Sequence, residues 1–298
     1  MKTLFSITLL GTSTLFSACT NNDPNPVAAE TYQKTTVVYK EVAGVNQDLL
    51  SMDIYHPEVN TIERPIVVYV HGGAWAVGDK ANNIDNKVDL FSSLGYLFVS
   101  VNYRLSPSTY SSDPNRIMFP THNNDVADAV AWIYNNINLY GGNKNKIVLL
   151  GHSAGAHLVS LTGTSNTFLP DRGIQLNQIK GVASIDTEGY DVSAQCTQGN
   201  ETYLNAFGSN PTQWLAASPI HQLSSTNAYP AFFVAKRGSA NRINLANAFI
   251  AALNSVGVVV SEVNGSQYDH EGINDAIGAP GETTITEPLK DFLERCFQ

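Results

Sequence analysis

Apolar runs and helical spacing alternate along most of the chain. The run at residues 66–70 is apolar throughout, which is typical of a strand buried on both faces of a parallel sheet. Similar segments predict further strands at residues 97–101, 146–150, 181–185, 231–235 and 258–263. Apolar residues three or four positions apart predict helices around residues 84–94, 126–137, 154–162, 245–253 and 289–295. The alternation predicts an α/β fold with a doubly wound, mostly parallel sheet.

The pattern is weaker at the start of this alternation and in one long connection. Residues 36–41 and 49–55 alternate only partly, which predicts edge strands and an antiparallel start to the sheet. No second apolar core and no internal repeat is recognisable in the sequence, so residues 31–298 are predicted to form a single domain. The connection 187–229 is longer than a crossover needs, and we interpret it as either a cap over a site or a surface insertion.

The first 30 residues carry a different signal. Residues 1–18 contain a lysine, an apolar stretch and two small residues before Cys19, which predicts an export signal too short to span a bilayer. The ending FSAC resembles a bacterial lipoprotein signal, and this resemblance implies a lipid on Cys19. Phe16 replaces the usual leucine, which leaves plain secretion open. Residues 19–30 are predicted to be a polar tether. We expect a periplasmic or outer-membrane lipoprotein, or otherwise a secreted protein.

Composition narrows the choice of partners. The 298 residues are 43% hydrophobic and carry a net charge of −9 without any basic run, which argues against nucleic acid. With Cys19 lipidated, Cys196 and Cys296 remain as a disulfide pair that export would permit, and two isolated thiols are the equal alternative. The cysteines and histidines lack the spacing of metal ligands, so we expect no metal and no cofactor. The oligomeric state stays open.

The strongest local signal is Gly151-His152-Ser153-Ala154-Gly155, between a predicted strand and a predicted helix. A serine flanked in this way occupies a sharp turn, where glycines avoid a clash between the two elements and the hydroxyl projects above the sheet. Ser153 is therefore the candidate nucleophile. The amide of Ala154, at the start of the helix, points to where a negative oxygen would develop.

A second loop follows the buried strand at residues 66–70. His71-Gly72-Gly73-Ala74-Trp75 lies at the end of the sheet where ligands bind in open α/β folds. Adjacent glycines leave their amides uncovered and adopt φ values closed to other residues, which lets N–H groups converge on an oxyanion. We expect Gly72, Gly73 and Ala154 to form an oxyanion hole.

In these two loops and the segments around them, the chain resembles the α/β-hydrolase fold, and within it the esterases of the hormone-sensitive-lipase and carboxylesterase type. The His-Gly-Gly-x-Trp loop is also similar to that of kynurenine formamidases and of bacterial feruloyl and acetyl esterases. The resemblance is dense from about residue 50 to 162 and looser beyond. It is carried by His71-Gly72-Gly73-Ala74-Trp75, Val101-Asn102-Tyr103-Arg104-Leu105-Ser106-Pro107, Asp125, Tyr140-Gly141-Gly142 and Gly151-His152-Ser153-Ala154-Gly155.

The resemblance implies a triad in the chain order serine, acid, histidine, and this order selects the base. Four histidines precede Ser153, and His157 lies one helical turn after it. Of the two that remain, His221 lies beside Pro219 in the long connection, whereas His270 directly follows the last predicted strand. His270 is therefore the candidate base, with an imidazole able to exchange a proton near neutral pH.

The acid is where the sequence departs from its relatives. Their aspartate follows the strand at residues 231–235 in a Gly-x-x-Asp pattern, but here the pattern ends in Asn241, which carries no charge to stabilise an imidazolium. We prefer Asp186, at the end of the neighbouring strand, where pancreatic-type lipases have their acid. Glu188 and Asp191 are the alternatives. Asp269 and Glu271 flank His270 too closely to face its ring easily.

These candidates predict a serine hydrolase that cleaves carboxylic esters through an acyl-enzyme. We expect a small-molecule or glycan-borne ester as substrate, with a short acyl group such as acetyl. One alternative is an arylformamidase that uses the same residues, although an exported chain fits a cytosolic metabolite poorly. The other is a degenerate hydrolase homologue that binds its ligand without turnover, for which Asn241 is the support.

Overall fold

The computed structural model describes residues 31–58 and 63–298. The predicted signal, Cys19 and the tether lie outside the described residues. Within these ranges the strands are β1 (Tyr32–Val38), β2 (Ser51–Pro57), β3 (Arg64–Val70), β4 (Leu97–Val101), β5 (Gly142–His152), β6 (Gly181–Ile185), β7 (Ala231–Lys236) and β8 (Val260–Asn264). The α-helices are α1 (Asp85–Ser93), α2 (Thr121–Asn136), α3 (Ala154–Thr164), α4 (Val192–Thr197), α5 (Glu201–Phe207), α6 (Pro211–Ala216), α7 (Ala240–Ser255), α8 (Gly272–Asp275) and α9 (Thr286–Phe297).

All eight strands form one sheet in the order β1-β2-β4-β3-β5-β6-β7-β8. The pairs β1·β2 and β2·β4 are antiparallel, and every other pair is parallel. The predicted α/β fold, with its mostly parallel sheet and antiparallel start, is therefore confirmed. Because the parallel strands run in one direction, the loops that follow β3, β5, β6, β7 and β8 gather at a single edge of the sheet.

Helices cover both faces of the sheet, so the central strands are buried on both sides. Alternate residues of β3 belong to two separate apolar clusters, with Ile66 and Val68 on one face and Val67 and Tyr69 on the other. Helices α2, α3 and α7 pack on the first face, and α1 and α9 on the second. None of the helices in the described ranges is long and apolar enough to cross a membrane.

The disulfide left open by the sequence is not formed. Cys196 and Cys296, both within the described residues, are free thiols. Cys196 is buried in the cluster on one face of the sheet, whereas Cys296 packs with the cluster on the opposite face, against Gly181. The sheet separates the two sulfur atoms, and burial raises the pKa of Cys196 to about 12 and that of Cys296 to about 11. Both thiols therefore act as small apolar core groups.

Candidate active site

Ser153 occupies a strained turn between β5 and α3. Its backbone has φ 56° and ψ −119°, outside the regions that non-glycine residues usually adopt. The Ser153 amide donates to the Ile185 carbonyl at 3.0 Å, which ties the turn to the end of β6. A Cβ at Gly155 would meet the Val70 carbonyl, and one at Gly151 would meet the Gly155 carbonyl. Both flanking glycines are therefore required by the close approach of strand and helix.

Three side chains from distant parts of the sequence form a continuous hydrogen-bonded chain. His270, in the loop between β8 and α8, has its Nε2 2.8 Å from the Ser153 Oγ. Its Nδ1 lies 2.6 Å from Oδ2 of Asp186, which directly follows β6. A carboxylate only accepts hydrogen bonds, so Nδ1–H donates to Asp186 and the unprotonated Nε2 accepts from the Ser153 hydroxyl. In this tautomer His270 can take the serine proton.

Three of the other carboxylates considered for the acid are engaged elsewhere. Glu188 pairs with Arg242 at 2.7 Å. Asp191 caps α4 by accepting from the Ala194 amide at 2.9 Å and lies 3.5 Å from His221. Asp269 accepts from the Gly272 amide at 2.7 Å, within its own loop. The structure therefore brings Asp186, and none of these three alternatives, to the imidazole of His270.

Two arginines that no sequence pattern predicted as site residues contact the acid. Arg242, in the first turn of α7, donates from Nη2 to Oδ1 of Asp186 at 2.7 Å. Arg237, after β7, places its Nε 3.3 Å from Oδ2. Burial raises the pKa of Asp186, but hydrogen bonds from His270 and Arg242 and their charges outweigh burial and hold it below its usual value. No sequence signal assigns them to the acid, because Arg237 and Arg242 lie 51 and 56 residues from Asp186 along the chain.

The loop after β3 is held in a tight turn. Gly73, Ala74 and Trp75 all have positive φ values, of 103°, 51° and 59°. The Gly73 carbonyl accepts from the amides of Ala76 and Val77, each at 3.0 Å, which closes the turn. A Cβ on Gly72 would lie 3.0 Å from the Ser153 Cβ, so this glycine sits directly beside the nucleophile. The loop backbone is thus placed next to the serine, where the sequence predicts the oxyanion hole.

Trp75 fixes this loop through its contacts with α3 and α5. Its Nε1–H donates to Nδ1 of His157 at 3.2 Å, and the other ring nitrogen of His157 donates to the Ala217 carbonyl at 2.8 Å. Burial lowers the pKa of His157 to about 4, so the ring stays neutral and can accept the tryptophan N–H. Trp75 also packs edge-on against Tyr203 and Phe207 of α5. His157 is therefore a support for the oxyanion loop, and not a base.

A cavity of about 200 Å³ opens beside the nucleophile. Ser153, Ala154 and His270 form its reactive wall, and the 187–229 connection contributes part of the opposite wall. The wall residues outside the triad are Ala74, Trp75, Ala154, Thr187, Glu188, Asn200, Thr202, Tyr203 and Arg242. The wall is rich in hydroxyl, amide and charged groups, so the cavity suits a small or polar group better than a long alkyl chain.

A second cavity, of about 340 Å³, shares the oxyanion loop as a wall. It is lined by Gly72, Gly73 and His152, with Asp79, Asn82, Asn83 and Glu271 among its polar residues. His152 donates from Nε2 to the backbone carbonyl of His270 at 2.8 Å. Burial lowers the pKa of His152 to about 3, so its ring is neutral. His152 thereby fixes the backbone of the loop that carries His270.

Within the part of the chain that the structure describes, one group of residues could hold a cation. Ligand atoms of His152, Asp186 and His270 lie within 4.8 Å of one another. Both ring nitrogens of His270 are already engaged, one with Asp186 and the other with Ser153. A bound metal would have to displace this hydrogen-bonded chain, so the donor set fits proton transfer better than metal coordination.

The fold and the site together define an α/β-hydrolase-fold protein with a serine, histidine and aspartate triad at the carboxyl edge of its sheet. The sequence model of the BD-FAE family matches residues 52–243, and the chain belongs to this family. A solved structure described as a truncated form of carbohydrate esterase from gut microbiota has a TM-score of 0.70 at 17% identity, over 90% of this chain and 98% of that one. Esterase B from Lactobacillus Rhamnosis (HN001) also has a TM-score of 0.70 at 17% identity, over 90% and 86%. These two likenesses show the fold.

Curated relatives are more similar in sequence. Esterase LipQ of Mycobacterium tuberculosis is 29% identical over 242 residues, which is 77% of this chain and 55% of LipQ. The probable carboxylic ester hydrolase LipM of the same organism is 28% identical over 76% of this chain and 54% of LipM. The chain thus spans about half the length of these curated relatives.

Proposed function

We propose that this protein is a carboxylic ester hydrolase that works through an acyl-enzyme. The observation that carries the proposal is the chain from Ser153 Oγ to His270 Nε2, 2.8 Å, and from His270 Nδ1 to Asp186 Oδ2, 2.6 Å, beside an open cavity. Membership of the BD-FAE family and the esterase names of the relatives support the same activity.

Each step of the reaction has a residue in place. Ser153 Oγ attacks the ester carbonyl carbon while His270 Nε2 takes the hydroxyl proton, and Asp186 stabilises the imidazolium. The negative oxygen of the tetrahedral intermediate is held by the amides of Gly72, Gly73 and Ala154. Collapse of the intermediate expels the alcohol, which receives the proton from His270 and leaves the acyl group on Ser153.

Water completes the cycle by the same route. His270 takes a proton from a water molecule, whose oxygen attacks the acyl carbon, and the second tetrahedral intermediate releases a carboxylic acid. The proton returns to Ser153 Oγ, so the enzyme is regenerated without a metal or redox partner. The degenerate-homologue hypothesis loses its support, because Asp186 supplies the negative charge that Asn241 lacks.

The substrate we propose is a small-molecule or glycan-borne ester with a short acyl group. The polar wall and the volume of about 200 Å³ favour a small acyl group beside Ser153. One fold relative is described as a carbohydrate esterase, and another solved structure as a bifunctional GH43-CE of Bacteroides eggerthii. No contact in the site favours a formamide over an ester, so the arylformamidase alternative gains nothing from the geometry.

Labelling of the nucleophile tests the activity directly. A fluorophosphonate probe should modify Ser153 in the wild type and leave Ser153→Ala unmodified, with the modified peptide identified by mass spectrometry. The wild type should hydrolyse p-nitrophenyl acetate far faster than N-formylkynurenine. Absence of both labelling and ester turnover in folded protein would refute the proposal, and preferential turnover of the formamide would replace it with the arylformamidase.

The compartment is a separate proposal, for an exported protein with a lipid anchor on Cys19. Its support is the sequence pattern of residues 1–19 alone. In a bacterial host the wild type should partition with membranes, whereas Cys19→Ser should appear in the soluble exported fraction. Equal partitioning of the two proteins would contradict the anchor, and retention of both in the cytosol would contradict export.

A further inference from the structure

The loop after β7 and the start of α7 carry two arginines and no carboxylate. Residues 237–242 read Arg-Gly-Ser-Ala-Asn-Arg, and both arginines of this segment reach the carboxylate of Asp186. Strands β6 and β7 are paired neighbours, with Ile185 opposite Ala235, so the loops that follow them leave the sheet side by side. This neighbourhood brings the arginines onto an acid supplied by the adjacent strand.

Arg242 contacts two carboxylates, those of Asp186 and Glu188. Its Nη2 binds Oδ1 of Asp186 at 2.7 Å, and its Nη1 binds Glu188 at 2.7 Å, so one planar guanidinium spans two carboxylates. Oδ1 is thereby occupied, and Oδ2 faces Nδ1 of His270 at 2.6 Å. Asp186 itself has a φ of 49°, an unusual conformation for a non-glycine residue that surrounding contacts must hold.

Arg237 joins the acid to the loop of the base. Its Nε lies 3.3 Å from Oδ2 of Asp186 and 3.4 Å from the backbone carbonyl of Tyr268, two residues before His270. The side chains of Arg237 and Arg242 are 12% and 20% exposed, and that of Asp186 is 2% exposed. Water therefore screens these charges only weakly, and each guanidinium acts strongly on a proton that enters the pair.

We propose that Arg242 is a positioning residue that acts through Asp186, and that together with Arg237 it sets the lowest pH at which the His270–Asp186 pair can accept the serine proton. The inference rests on the proposed function, because it assigns a role within the same triad. Two cations beside the pair oppose the uptake of a proton by either member. The pair therefore stays unprotonated to a lower pH than it would without the two arginines.

Other charged and titratable groups surround the pair and do not reproduce this effect. The carboxylate of Glu188 partly offsets Arg242, and His152 is held neutral by burial. Tyr190 is fully buried behind Asp186 and donates to or accepts from Ser184, and burial raises its pKa far above neutrality. Tyr203 of α5 faces Arg242 and Glu188, and burial raises its pKa far above neutrality. Further neighbours are Asp269 and Glu271 on the loop of His270, and Lys87, which acts on His152.

The decisive variant is Arg242→Gln, which removes the charge and keeps a polar side chain. In the pH profile of kcat/KM for p-nitrophenyl acetate, the acidic limb is the fall in rate as the pH is lowered. We expect the midpoint of this acidic limb to lie about one pH unit higher than in the wild type. The proton uptake of the His270 ring, followed by NMR and assigned with His270→Asn, should move in the same direction. The sign is independent of which member of the pair carries the proton, because loss of a nearby cation eases protonation of both.

Three further variants separate charge from structure. Arg242→Lys restores the positive charge, so its acidic limb should return towards that of the wild type. Its kcat should be lower than that of the wild type, since an ammonium cannot hold two carboxylates in one plane. Arg237→Gln should shift the limb upwards by less than Arg242→Gln, in keeping with its longer contact. Arg295→Gln is the matched control, because Arg295 is exposed on α9 and donates to Ser261, and its limb should not move.

The outcomes distinguish this inference from the proposed function. An unmoved limb and an unmoved NMR titration in folded Arg242→Gln would overturn the clamp while ester hydrolysis by the wild type persists. A wild type that lacks ester turnover, together with an upward NMR shift in Arg242→Gln, would overturn the activity and keep the clamp. If Arg242→Gln does not fold, Arg237→Gln decides, and an unshifted NMR titration in that variant overturns the proposal.

Discussion

The two halves of the site are built by different means. The nucleophile half, residues 71–78 and 151–155, is positioned by backbone, with positive φ at Gly73, Ala74, Trp75 and Ser153 and with glycines where chains nearly touch. The acid–base half is positioned chiefly by side chains, although Asp186 also has a positive φ, of 49°. There Asp186 is held by two arginines and His270, and these contacts are ion pairs and hydrogen bonds of 2.6 to 3.3 Å.

This difference affects how far each half can be recognised from the sequence. A backbone turn that needs glycine or a positive φ accepts few residue types, so its sequence signature is narrow. A carboxylate needs only to reach the imidazole. Two paired parallel strands end at the same edge of the sheet, so a residue that follows either strand can supply that carboxylate. In this chain the carboxylate that reaches His270 is Asp186, directly after β6, and Asn241, after the paired strand β7, carries no charge.

The largest effect is expected from a substitution in the acid–base half of the site. Asp186→Asn should lower kcat for p-nitrophenyl acetate by a factor of about 10⁴, because an amide can hold the wrong tautomer of His270 and supplies no charge, as in the serine protease from which that magnitude is taken. Stopped assays at pH 7.5, with the melting temperature measured in parallel, would show the loss. A rate within a few fold of wild type would mean that another group acts as the acid.

Asn241→Asp is the matched control for that prediction. Asn241 is exposed in the first turn of α7, and the acid position beside His270 is already filled by Asp186. The rate should stay within about threefold of wild type, because a solvent-screened charge contributes little. In the Asp186→Asn background, Asn241→Asp should not restore activity. Recovery to near wild-type rate would show that the α7 position is still able to serve as the acid.

A smaller loss of rate is expected from a substitution in the nucleophile half of the site, which is positioned by backbone. Gly73→Ala should lower kcat by a factor of about 10² to 10³, because its Cβ would meet the Val77 carbonyl and push the loop away from the oxyanion position. Gly173→Ala is the comparison, since Gly173 has a φ of 76° with nothing within 4 Å of an added Cβ. Both variants should lose stability from the strained φ.

Of these two variants, only Gly73→Ala should lose catalytic rate. If Gly73→Ala and Gly173→Ala showed equal activity, the turn at residues 73–77 would not be what positions the oxyanion amides. If Gly73→Ala lost kcat without a change in KM, the missing interaction would be one made in the transition state alone, as an oxyanion hole requires.

Most strands and helix α1 were predicted closely, whereas β1 begins at Tyr32 instead of residue 36, and α2, α7 and α9 extend beyond the predicted apolar spacing. The predicted strands at residues 97–101 and 181–185 coincide with β4 and β6, because a run buried on both faces has sharp apolar limits. Helix α7 begins at Ala240, five residues before the predicted apolar spacing, because its first turn is capped by the Ser239 side chain. The long connection formed α4, α5 and α6, and α5 lines the cavity, a placement that depends on packing against Trp75.

The sequence by itself determined the order of elements, the nucleophile turn and the oxyanion loop, because each of these depends on residues close together in the chain and on backbone conformations that few residue types adopt. Tertiary structure alone decided which carboxylate reaches His270, that Arg237 and Arg242 hold it, and that Cys196 and Cys296 stay apart on opposite faces of the sheet. The physical reason is distance along the chain. Contacts between side chains 50 to 120 residues apart are set by strand order and register, which a pattern of neighbouring residues does not encode.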